Sequence, residues 1–144
     1  MGEEKTEAGV SSADSSLLEN FFPLPFLLAT LVYCAVVFWL SSISSFPVPS
    51  PFSFFDKIVH FFLFAGLSTL VALGLHRARH RYSVKMLILI PILFSILYGF
   101  SDEIHQLSVP WRNFSAGDLA ADASGAMAAA VILLLVNRVR KTRR

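Results

Sequence analysis

Four long apolar blocks divide this chain, and they leave it few ways to fold. Residues 21–40 carry no charge, and residues 58–75 carry one histidine, His60. Residues 86–100 are uncharged and stop just before Ser101-Asp102-Glu103. Residues 123–137 are uncharged and follow Asp118 and Asp122. A helix needs about 20 mostly apolar residues to cross ~30 Å of hydrocarbon. The first two blocks meet that length directly. The third and fourth meet it only if each takes in its acidic end, which sets those acids at or inside the bilayer edge. The expected fold is all-α: a polytopic membrane protein with four transmembrane helices.

The chain's 144 residues suit one domain. Hydrophobic residues make up 55% and charged residues only 15%, far from a soluble average. Residues 1–20 are polar, acidic and rich in Ser, Glu and Ala, and read as a disordered tail. They lack the basic start of a signal peptide, so the block after them is expected to stay as an anchor. Pro23 and Pro25 suit the first turn of that helix. The four-helix domain is expected over 21–137 and a basic tail over 138–144, with connecting loops at 44–55, 76–85 and 105–117. Pro91 reads as a tolerated kink inside the third helix. Cys34 is the only cysteine, which excludes an internal disulfide and a cysteine metal site. There is no glycine-rich phosphate loop, CxxC, HExxH or long internal repeat. Asn113-Phe114-Ser115 matches a glycosylation sequon, a weak signal. No nucleic-acid partner is expected.

Charge orients the helices. Arg77, Arg79, Arg81 and Lys85 share one short loop, and the tail adds five more bases. Basic residues in short loops stay cytoplasmic. Both termini are then cytoplasmic, and loops 44–55 and 105–117 face outward. A multi-pass protein of the cell membrane is expected, with membrane lipids as its first partners. Trp111 and the phenylalanines of 52–55 suit the bilayer interface.

On this topology every acid after residue 20 falls at the outward side: Asp56, Asp102, Glu103, Asp118 and Asp122. His60 and His105 lie beside them, and Lys57 and Arg112 are the two bases there. Asp56 and His60 are spaced i, i+4 and share a helix face. Asp102 is spaced to meet His105 and Gln106. Asp118 and Asp122 lie on one stripe that Gly125 or Ala126 and Ala129 continue. Ala121, Gly125 and Ala129 form a ridge of small residues that favours close helix packing. Ionisable residues in membrane helices usually face the bundle interior and pair. Five acids against two bases should titrate as a coupled set. Plainer roles are open as well. Asp56 and Asp118 suit helix N-caps, Lys57 suits a snorkelling anchor, and the whole cluster could simply hold short helices together.

These residues resemble the VanZ-like family of small integral membrane proteins. The segments that carry the resemblance are Phe55-Asp56-Lys57-Ile58-Val59-His60-Phe61 and Ser101-Asp102-Glu103-Ile104-His105-Gln106. Pro110-Trp111-Arg112 and the run from Gly117-Asp118 through Asp122 to Gly125 complete it. The family pattern runs DKxxHF, (D/E)ExxQ, then PxRxxxxxDxxxNxxG. Here Asp122 stands where many relatives have Asn, and Trp111 where many have Gly. The resemblance covers about residues 50–135 and implies a four-helix membrane fold in a bacterial cell envelope. The family takes its name from a member linked to resistance to the glycopeptide teicoplanin, which acts on cell-wall precursors outside the membrane.

Three functions are open at this point. The first is a membrane-embedded site that binds or acts on a cell-envelope or lipid-linked substrate. Its candidate catalytic residues are His60, Glu103, Arg112 and Asp118, backed by Asp56, Lys57, Asp102, His105, Gln106 and Asp122. Carboxylates with imidazoles can do acid–base work or hold a divalent cation, and two bases can clamp a phosphate. The second is a structural or partner-binding membrane protein. The third is a transporter or proton path, which the apolar inner halves of the helices disfavour. Whether the protein is an enzyme is left open.

Overall fold

The structure is a computed structural model that describes residues 22–43 and 54–142, with side chains up to residue 137. The expected disordered tail at 1–20 and most of the 44–55 loop lie outside the described residues. Among the described residues the long elements are all helical. They are α1 (Leu24–Ser41), α2 (Phe55–Arg77), α3 (Val84–Gln106) and α4 (Ala116–Thr142), with a short 3-10 turn at Arg79–Arg81. Each long helix carries a stretch long and apolar enough to cross a membrane.

The ends of the helices follow local chemistry. Pro23 stands at the N-cap of α1, with Pro25 just inside it. Both cost nothing there, because the first amides of a helix lack partners in any case. Ser83 caps α3, its hydroxyl accepting from the Met86 amide at 3.3 Å. Ser115 caps α4 by accepting from the Asp118 amide at 3.2 Å. Asp118 is therefore not a cap but a residue of the first turn. Asp56 is not a cap either, since Phe54 precedes α2. At its far end α4 continues as helix through Thr142, into the segment expected as a separate tail.

Helices α2 and α4 form the closest pair. Gly125 lies against the backbone of α2, where a Cβ would overlap the Phe61 carbonyl oxygen. Glycine is required by that close approach, and the buried Ala126, Ala129 and Ala130 extend the flat face. Ser68 donates across the same seam to the Ala126 carbonyl at 3.1 Å. On the other side of α2, Phe64, Leu67, Val71 and Leu75 pack with Val37 of α1. Two tyrosines tie neighbouring helices through backbone carbonyls. Tyr33 donates to Leu63 at 2.9 Å, and Tyr98 donates to Cys34 at 2.6 Å. In hydrocarbon such bonds do not compete with water, so they fix the helices relative to one another. Helix α1 packs chiefly on α2 and keeps most of its apolar surface outward.

Candidate functional site

The start of α2, the end of α3 and the start of α4 lie at the same end of the bundle. That end holds every acid after residue 20. Helical spacing turns one face of each of these helices inward, and the inward residues are polar. His60, Asp102, Glu103, Gln106, Asp118 and Asp122 are all buried.

The central pair joins α2 to α4. His60 Nδ1 and Asp122 Oδ1 are hydrogen-bonded at 3.0 Å. Gly99 of α3 makes room for this carboxylate, since a Cβ there would lie 2.6 Å from Asp122 Oδ2. Next to it, Glu103 is completely enclosed. Its Oε2 accepts from the Ser115 amide at 2.7 Å, which clips the 107–115 loop to α3. A second bridge joins α2 to α4. The Lys57 ammonium donates to Asp118 at 3.0 Å and to Asp56 at 3.1 Å. Gly117 is where the lysine stem passes, its missing Cβ falling 2.8 Å from Lys57 Cε.

One ligand atom each from His60, Glu103 and Asp118 lies within 4.8 Å of the other two. Three residues proposed for the site from sequence thus meet, although 58 positions separate the first from the last. Two carboxylate oxygens there, Glu103 Oε1 and Asp122 Oδ2, are buried without a hydrogen-bond partner among the described residues. A buried polar atom without a partner costs ~1–3 kcal/mol, more when charged, so such atoms are rare in folded proteins.

The remaining candidates sit around this centre. Gln106 donates to Asp102 Oδ2 at 3.1 Å, as the i, i+4 spacing led one to expect. His105 does not join that pair. Its ring stacks on Phe38 of α1 at 4.2 Å, and its Nε2 bonds Ser42 Oγ at 2.9 Å. At 3.6 residues per turn, positions i and i+3 stand about 60° apart around the helix, enough for His105 to turn toward α1 while Asp102 faces inward. Arg112 lies on the 107–115 loop and donates to the Ile43 carbonyl at 3.4 Å, tying that loop to the end of α1. Asp56 is half exposed beside Lys57. A groove of about 460 Å³ runs along the outside of α2 and α4. Phe54, Ile58, Phe61, Phe62 and Ala121 line it together with Lys57.

Sequence reasoning missed Ser115 and the part played by Gly117. Ser115-Ala116-Gly117-Asp118 has the spacing of a capping box, Ser followed by an acid three residues on, and that signal was readable. Gly117 had no such signal, because what it admits comes from another helix; Gly99, one turn below Glu103, is expected from sequence to give neighbouring backbones room, and it admits the Asp122 side chain.

Against known protein families, the chain matches VanZ/LLP1 over residues 6–137. The chain belongs to the VanZ/LLP1 family. With four apolar helices, this VanZ/LLP1 protein is a multi-pass membrane protein. No curated protein and no solved structure matches it. Three of the four VanZ-like segments of the sequence meet at one end of the bundle. The first supplies Lys57 and His60, the second Glu103, and the third Asp118 and Asp122. Asp122 stands at the Asn position of the VanZ-like pattern and presents a carboxylate oxygen to His60.

Proposed function

We propose that this protein binds, through its buried acid and histidine cluster, the polar head of a lipid-linked envelope substrate, and acts on it there. One observation carries the reading. Glu103 and Asp122 are fully enclosed, yet each keeps one carboxylate oxygen unpaired among the described residues. A cluster serving only to hold helices together would gain nothing from such oxygens, because unpaired buried charge destabilises a fold. Open acceptor oxygens suit a ligand that brings hydrogen-bond donors or a cation with it.

The groove beside Lys57 supports the substrate class. Its wall is apolar and phenylalanine-rich, and Lys57, whose ammonium reaches Asp118, lines it along with Ser124. A polyprenyl or acyl chain fits the wall, and an anionic head fits beside Lys57. The distribution of basic residues supports an outward-facing site, since the 76–85 loop belongs in the cytoplasm by the positive-inside rule.

The test uses the full chain in nanodiscs with a polyprenyl phosphate as probe. Native mass spectrometry should find the lipid bound to wild type. Glu103→Gln should lower occupancy at least ~10-fold while its thermal transition stays close to wild type, because the amide keeps the shape and the acceptor for Ser115. Equal occupancy in both proteins, or none in wild type, would overturn the reading. A large loss of stability together with unchanged lipid binding would assign the cluster to helix cohesion instead.

A further inference from the structure

We infer that His60, Glu103 and Asp118 hold a divalent metal ion of the manganese or zinc class. The inference rests on the reading of this cluster as a ligand-binding site and names the ligand at its centre. The donor set is one imidazole and two carboxylates, each offering an atom within 4.8 Å of the others. Imidazole favours zinc or iron, and carboxylates favour manganese or magnesium, so a mixed set selects the borderline ions. Three protein ligands leave coordination positions open, the pattern of a catalytic rather than a structural site.

Three further features fit a metal. His60 is held from behind: Asp122 Oδ1 takes Nδ1 at 3.0 Å, which leaves Nε2 as the ring nitrogen for a metal. That carboxylate–histidine arrangement is the usual outer support of a metal-bound imidazole. Glu103 uses Oε2 on the Ser115 amide, while Oε1, fully buried, has no partner among the described residues. A metal supplies that partner. Finally, a dication relieves the charge at this end. Five acids and two bases surround this end of the bundle, and a phosphate head would add to the excess of negative charge. A dication offsets the Glu103 and Asp118 carboxylates and cuts the excess of negative charge at this end from three to one. Bound there, it would supply Lewis-acid polarisation of a phosphoryl or carbonyl oxygen.

The experiment measures metal without substrate. Full-length protein in detergent is stripped with EDTA, reloaded with Mn²⁺, Zn²⁺ or Mg²⁺, desalted and assayed by elemental analysis. Wild type should retain Mn²⁺ or Zn²⁺ in stoichiometric amount. Glu103→Gln and Asp118→Asn should lose it, and Asp122→Asn should weaken it ~10-fold or more, as loss of an outer-shell carboxylate does elsewhere. Wild type retaining no more metal than a buffer blank would overturn the inference, as would a folded Glu103→Gln protein binding as tightly as wild type. If the variants fail to fold, X-ray absorption on zinc-loaded wild type decides. One imidazole with oxygen ligands supports the site, and absence of imidazole overturns it. Polyprenyl phosphate binding that persists in EDTA, with no metal retained, would sink the metal and leave the proposed function standing. Metal retained without lipid binding would do the reverse.

Discussion

At the scale of single residues, the least expected feature is the backbone of Trp111. Its φ is +66°, in the left-handed region, and its ring is 94% exposed. A residue with a Cβ pays about 1–2 kcal/mol for that conformation. Glycine does not. Trp111→Gly should therefore stabilise the detergent-solubilised protein by about 1 kcal/mol, less the entropy gained by the unfolded glycine. Thermal denaturation checks this, and a lowered transition would mean that the indole grips something the strain was tolerated for. Glu103 is the opposite case. Its rotamer is set by the Ser115 amide and by burial, a partner on the 107–115 loop that the sequence did not indicate, although it ranked Glu103 ahead of Asp102 for the site. One acid faces Gln106 and the other faces His60 and Asp118, a division decided by helix rotation against two other chains of atoms.

At the scale of elements, the seam between α2 and α4 sets the site. Gly125 brings α4 onto the Phe61 carbonyl, and one turn nearer the polar end Asp122 reaches His60. Gly125→Ala should push the helices apart, costing about 1–3 kcal/mol as overpacking does, with weaker metal retention as a second readout. Ser115→Ala should cost about 1 kcal/mol through the lost cap, while leaving the amide that serves Glu103. The helices themselves were legible, because four apolar blocks of sufficient length admit little else. The acids at their ends were legible too, as was the stripe running from Asp118 to Ala129. What the chain did not disclose was partnership across helices. His105 turns to Phe38 and Ser42 of α1, and Arg112 to Ile43, contacts that depend on how a loop of nine or so residues folds back. The caps were misread for a local reason: the acid at 118 drew attention from the serine three residues before it.

At the scale of the molecule, orientation can be read by labelling. With Cys34→Ser as the background, His80→Cys in intact cells should resist a membrane-impermeant maleimide, and Ser108→Cys should react. Both positions are exposed. The reverse pattern would place the acid cluster on the cytoplasmic side and remove the envelope substrate from consideration. The bundle is also thin. Helix α1 covers little beyond α2, and α3 leaves Leu89, Leu93 and Leu97 facing outward. A helix is only ~10 Å across, so no residue of this protein is more than about one helix from the acyl chains. A reactant arriving sideways from the leaflet would never meet bulk water. Its saturation would then follow mole fraction in the bilayer, and diluting the host lipid rather than the buffer would be the way to change the rate.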